Sequence, residues 1–213
     1  MIFINFSRLL ILSVVILGFH LQSPFSAQAQ ADISVPSASF RQTALKHLTR
    51  LIKTYNISLN TAEINLVTDN CQDILKTSIP QLLDDTNQTA QTYQSLIEII
   101  QTSLNFISDD LRHMTVDSSN IDLVLVDFSQ LEANFQTDLR AYKLSLNELL
   151  SLDVNCHYHP QAFVAGLQEA DSRRQLIEAS AEAMLDYINK EIEEVLAEIQ
   201  ADLLTAENQQ HAI

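Results

Sequence analysis

Apolar side chains recur along this chain at alternating spacings of three and four, the period of an α-helix that turns one face to a core. Leu45, Leu48, Ile52, Tyr55, Leu59, Ala62 and Leu66 form the first stripe. A register slip follows at Thr68-Asp69-Asn70, where Asp69 and Gln72 make a candidate capping pair, and Cys71, Leu75, Ile79 and Leu83 carry a new stripe. Asp84 to Thr89 is polar and reads as a loop or an exposed stretch of helix. Ala90, Tyr93, Ile97, Ile100, Leu104, Ile107, Leu111 and Met114 then make a heptad seam of the kind that packs knobs into holes. Pro80 either separates two helices or bends one. Ile79 and Leu83 stay in phase with Ala90 across it, which favours a single bent helix.

Thr115 to Asn120 has the composition of a turn, with Asn120 as the expected cap of the next helix. That helix carries Ile121, Leu125, Phe128, Phe135, Leu139, Tyr142, Leu146 and Leu149, and only Glu132 breaks its seam. Asn155 to His159 is a second connection. Pro160 suits the first helical turn, where its missing N–H goes unmissed. The last stripe runs Phe163, Leu167, Ala170, Ile177, Ala181, Met184, Ile188 and then Ile192, Val195, Ile199, Leu203, shifted by one residue after Ile188. Arg174 sits in the seam, its stem suited to packing and its head to water. Short connections make successive helices antiparallel neighbours. The pattern predicts an all-α fold, an elongated antiparallel helical bundle or coiled coil of three to four long helices. These are a long helix or helix pair at about 38–114, a helix at 120–153 and a helix at 160–206, in one domain spanning 32–213.

Residues 1–31 read differently. Arg8 is their one charge, Leu9 to Phe19 is apolar but for Ser13 and Gly18, and small residues close the segment at Ala27-Gln28-Ala29 and Ala29-Gln30-Ala31. This is the pattern of an export signal cleaved after Ala29 or Ala31. The apolar core is short against the roughly 20 residues of a spanning helix, so no stable membrane anchor is expected after cleavage. The alternative is an uncleaved anchor.

Removing that segment leaves one glycine, Gly166, and three prolines, Pro36, Pro80 and Pro160. Hairpins need turn residues with special backbone angles, so a β fold is excluded. The charge balance becomes 11 basic against 27 acidic residues, net −16. Such a chain repels nucleic acid. One segment differs: Arg41, Lys46, Arg50 and Lys53 occur between Ser37 and Asn60 without an acidic residue. It is a candidate partner-binding surface for anionic lipid or polymer. The favoured reading is that it packs beside the acidic last helix.

The two cysteines, Cys71 and Cys156, are expected to form a disulfide, since export places them in an oxidising compartment. Counted from the turn near Asp117, their positions differ by about 10 Å along the helix axis, an offset that the loop at Asn155 can absorb. The alternative is two buried free thiols. Cys156-His157-Tyr158-His159 also offers soft and borderline ligands suited to copper or zinc. An oxidised Cys156 cannot ligate, so His157 and His159 are minor metal candidates and no cofactor is expected. Asp109, Asp110 and His113 hold carboxylate and imidazole at one-turn spacing, but once only, and read as a solvated helix end. Glu191, Glu193, Glu194 and Glu198 read as an exposed helix face. No phosphate loop, nucleophile elbow or zinc-protease helix appears, so the chain is not expected to be an enzyme.

Leu152-Asp153, Cys156, Pro160, Phe163, Leu167 and Arg174, after a long helix with an early cysteine, resemble a group of uncharacterised exported helical proteins of candidate-phyla bacteria. The resemblance covers about residues 60–190. It implies an all-helical extracytoplasmic fold and carries over no activity or functional residue. The expected role is binding or structural, in the envelope or outside the cell, with a protein or envelope component as partner. Homo-oligomerisation through the helix seams is left open. The alternative is a small-molecule or metal carrier using the Cys156-His157-His159 loop.

Overall fold

A computed structural model describes residues 37–114, 116–152 and 156–210, with side chains to residue 205. The export signal read from residues 1–31 lies outside the described residues. Helix α1 is Ala38–Thr54, α2 is Thr61–Asp73, α3 is Ile79–His113, α4 is Ser119–Leu150, α5 is Pro160–Tyr187 and α6 is Glu193–Gln210. Single π turns, Ile74–Ser78 and Ile188–Ile192, join α2 to α3 and α5 to α6 without a break. There are thus four helical runs among the described residues and no strand, the all-α bundle that the stripes predict.

The π turns explain both slips in the hydrophobic pattern. A π turn accommodates one extra residue, so a stripe that drifts off its face is brought back. At Ile188–Ile192 this lies where the last stripe shifts, and Ile188 and Ile192 are both buried. The first slip is read at 68–70, but helix α2 runs through those residues unbroken and the correction comes at 74–78. That wide turn immediately precedes Pro80, which lacks the N–H of the ordinary helical ladder. The run therefore continues through Pro80 as one helix, and Asp84 to Thr89 is helical too.

The real break lies at residues 55–60, inside the first predicted stripe. Helix α1 ends in a Schellman motif: Asn56 N–H donates to the Lys53 carbonyl at 3.3 Å and Ile57 N–H to the Ile52 carbonyl at 2.9 Å. Asn56 takes the left-handed conformation (φ 50°) that such an end requires. Asn is the substitute where glycine is absent. Helix α2 opens with a capping box: Asn60 Oδ1 accepts from the Ala62 and Glu63 N–H groups, and Glu63 accepts from the Asn60 N–H at 2.7 Å. The expected pair Asp69/Gln72 is therefore not a cap, and Leu66, beyond the break, is 65% exposed. The cap of α4 is also earlier than expected. Asp117 Oδ1 accepts from Ser119 N–H at 2.9 Å, and Asn120 is already helical. Pro160 is the first residue of α5, as its ring predicts.

The described residues fall into two compact units. Of the described residues, unit 1 contains those within 94–133 and 181–210, and unit 2 those within 37–93 and 134–180. In unit 1, Gln101 donates to Glu132 at 2.7 Å and Ser108 to Asp122 at 2.8 Å. Partners that advance in opposite directions mark α3 and α4 as antiparallel. Ile97, Ile100, Leu104, Leu111, Ile121, Phe128, Met184 and Ile192 are among its buried positions. Unit 2 packs Leu48, Leu75, Ile79, Leu146, Leu149, Phe163 and Ala165 around the two cysteines. Gly166 faces that core, and a Cβ there would meet Leu149 Cδ2 at 2.7 Å and Leu48 Cδ2 at 2.9 Å. This close approach is the reason the remaining glycine falls here.

Candidate functional site

Unit 2 carries two constellations with chemistry. The first surrounds the cysteines. Cys71, near the end of α2, and Cys156, the first residue of a 3₁₀ turn over Cys156–Tyr158, are joined by a disulfide with Cα atoms 6.1 Å apart. Both residues are fully buried. One ring nitrogen of His157 lies within 4.8 Å of both sulfurs. Its ring rests on Tyr158, centroids 4.5 Å apart, and Tyr158 itself is exposed. The sequence places Cys156, His157 and His159 together as potential ligands. The fold brings in Cys71 from 85 residues away and leaves the His159 side chain out of the cluster. The Cys71–Cys156 bond is the disulfide expected from the two cysteines.

The second constellation is a polar network where α1 meets α4 and α5. Tyr55 donates its hydroxyl to Glu169 Oε2 at 2.5 Å, and Arg173 Nε donates to Glu169 Oε1 at 2.6 Å. Glu169 is buried. Burial alone would raise its carboxyl, but the bonds from Tyr55 and Arg173 overcome that and hold it below the usual carboxylate range. Burial first, then the bond to Glu169, push the Tyr55 hydroxyl up. Nearby, His47 Nδ1 lies 2.7 Å from Oε2 of the buried Glu148. An open depression of about 370 Å³ borders this network, with Tyr55, Leu167, Asp171 and Ser172 in its wall. Sequence reading passes over Tyr55, Glu148 and Glu169. A carboxylate on the inner face of an amphipathic helix was the available signal.

The remaining sequence candidates are placed as follows. Lys46, Arg50 and Lys53 lie exposed on α1 and take part in none of the ion pairs among the described residues. Helix α1 does pack on α5, the start of the acidic last run, with Leu48 against Gly166 and Tyr55, at the end of the helix, bonded to Glu169. Asp109 pairs with Arg112 at 3.4 Å, and Asp110 and His113 are exposed, a solvated helix end. Glu191, Glu193, Glu194 and Glu198 are all exposed. Arg174 pairs with Asp171 at 2.9 Å and with Glu178 along the same helix. Glu132, the break in the α4 seam, is the acceptor for Gln101.

The class these features define is an all-α helical bundle with an intramolecular disulfide and a Tyr–Glu–Arg network around a buried carboxylate. No family model, curated protein or solved structure matches the chain. Among the described residues no helix is long and apolar enough to cross a membrane.

Proposed function

We propose that the chain is an exported helical-bundle protein that acts by binding or by architecture, in the cell envelope or outside the cell, with a protein or envelope component as partner. One observation carries this reading: the Cys71–Cys156 bond, buried at the centre of the unit 2 core. Disulfides of this structural kind persist in oxidising compartments and are rare where thiols are kept reduced. The pattern of residues 1–31 points the same way. Long helices present extended, rigid faces, and unit 1 exposes Ile99, Phe106, Leu123 and Val126 on such faces.

The reading is tested in the producing cell. Thiols are trapped with an alkylating agent at lysis, the cell is fractionated, and the protein is mapped by mass spectrometry without reduction. The expected result is a chain beginning after Ala29 or Ala31, outside the cytoplasm, with Cys71 bridged to Cys156, and captured with a partner by crosslinking. A full-length chain in the cytoplasm with both thiols alkylated overturns the localisation. A turnover activity of the purified protein overturns the non-enzymatic role.

A further inference from the structure

We propose that Cys71, Cys156 and His157 are a thiol-gated zinc site, a disulfide staple when oxidised and a Cys₂His ligand set when reduced. The inference stands on the geometry of the cluster and does not depend on where the protein resides. Two sulfurs and one imidazole nitrogen lie mutually within 4.8 Å. As a disulfide the sulfurs carry no charge. As thiolates they are the soft donors that zinc selects, and two thiolates with one imidazole are a known zinc set that leaves a fourth position for water or an external ligand.

The surroundings favour the metal in the reduced state. The backbones that hold the sulfurs are 6.1 Å apart at Cα, and they are fixed by other contacts as well as by the bond itself. Leu75, Ile79, Leu152, Ala162 and Phe163 belong to the same buried cluster as the two cysteines. Reduction therefore leaves two thiols facing each other in a packed site. The Tyr158 ring lies beside the imidazole that supplies the third donor, centroids 4.5 Å apart. Backbone geometry separates the two histidines: the His159 N–H donates to the Cys156 carbonyl at 3.1 Å, closing the 3₁₀ turn, while its imidazole stays out of the cluster.

The conversion needs a two-electron reductant, here a dithiol. Both sulfurs are buried, so the exchange takes place when this end of the core opens locally: the dithiol's thiolate attacks one sulfur of the Cys71–Cys156 bond and forms a mixed disulfide. Its second thiol then displaces the protein sulfur, so the dithiol becomes a disulfide and Cys71 and Cys156 become thiols. A Zn²⁺ ion binds with release of the two thiol protons. The ion then closes the same loop that the covalent bond closed.

The experiment uses the full chain, reduced and freed of reductant under inert gas. Co²⁺ serves as the optical probe and Zn²⁺ as the competitor. The expected result is one Co²⁺ per reduced chain with intense thiolate-to-cobalt absorption that Zn²⁺ abolishes, and no such band in the oxidised protein. Zn²⁺ should also raise the melting temperature of the reduced chain and leave that of the oxidised chain unchanged. His157→Gln, whose fold is checked in the oxidised form by circular dichroism, should bind Zn²⁺ at least about tenfold more weakly after reduction. His159→Gln should bind as the unaltered protein does. Absence of 1:1 binding overturns the proposal, including the case in which the reduced chain unfolds and Zn²⁺ fails to restore its helicity. So does wild-type affinity in His157→Gln, or a loss confined to His159→Gln.

Discussion

Both units of this protein build the same small motif, a carboxylate between a hydroxyl and an arginine, and they bury it to different depths. In unit 1, Asp122 accepts from Ser108 at 2.8 Å and from Arg112 through both oxygens at 2.9 Å. Arg112 and Asp122 are substantially exposed there, at 56% and 41% of their side-chain surface. In unit 2, Glu169 accepts from Tyr55 and Arg173, and its side chain is 10% exposed while that of Arg173 is 40% exposed, so the difference lies in the carboxylate. The units differ in a second way. Unit 2 closes a covalent loop through its core, whereas the buried positions of unit 1 are held by aliphatic and aromatic packing. An exposed ion pair is screened and contributes little, but a buried one that loses a partner leaves uncompensated groups behind. The comparison thus teaches that equal chemistry should have unequal consequences in the two halves.

The largest expected effect tests the covalent difference. Replacing both cysteines, Cys71→Ser with Cys156→Ser, frees a loop of 85 residues in the unfolded chain. The chain-entropy argument gives a loss of about 4–5 kcal/mol. Denaturant unfolding measures the total, and hydrogen exchange locates it. Protection should fall first at 61–79 and 142–170, with 94–133 less affected. Equal loss throughout would show that the two units open together and would break the comparison. Next in size is Phe128→Ala, which empties a fully buried position of unit 1. It should cost about 3–4 kcal/mol, measured by the same unfolding curve, with exchange rising in 94–133 and 181–199 first.

How far the sequence reaches is clear from where these elements sit. The stripe from Tyr93 to Leu111 and that from Ile121 to Leu149 need only the 3.6-residue period, and their buried positions match it. The one-residue shift after Ile188 is visible as a fault in that period, and the π turn is its physical cause. The break at 55–60 is hidden because Leu59 and Ala62 keep a helical spacing through it. Its signals are Asn56, doing the work of a helix-ending glycine, and Asn60-x-x-Glu63, a capping box more complete than the Asp69/Gln72 pair that competes with it. The disulfide is legible from two cysteines behind an export-like segment. His157 is legible too, as the neighbour of Cys156, whereas the Tyr55–Glu169 bond joins residues 114 apart whose meeting is set by helix packing.

The third prediction sharpens the polar comparison from the buried side. Glu169→Ala removes the acceptor of the half-buried Tyr55 and Arg173 and should cost about 1–2 kcal/mol, the loss of two hydrogen bonds to a charged group. Glu169→Gln keeps one acceptor oxygen and should cost less. The pH dependence follows from the direction of the shift. Glu169 is held below its ordinary value in the folded chain, so its contribution is complete above the unfolded pKa, about 4. It is lost as pH falls through the lower folded value. The melting temperature of the unaltered protein should fall on acidification below about pH 4, and Glu169→Gln should flatten that slope.

The smallest expected effect belongs to the exposed counterpart. The hydroxyl of Ser108, and then Arg112, hold the Asp122 carboxyl below the usual range, so the same sign applies: its contribution is present near neutrality and lost in acid. Water and salt already reach this carboxylate. Asp122→Asn should therefore shift the unfolding midpoint far less than Glu169→Ala, and the shift should vanish in high salt, where exposed charges are screened. Ser108 and Ser118 are the buried members of the group, and in Asp122→Asn the Ser108 hydroxyl still meets an amide oxygen. Salt is the deciding variable: a loss in Asp122→Asn that persists at high salt would mean that the bonds from the Ser108 and Ser118 hydroxyls, weaker to an amide than to a carboxylate, and not the Arg112 pair, carry the interaction. The two carboxylate motifs would then be alike in energetics as well as in chemistry.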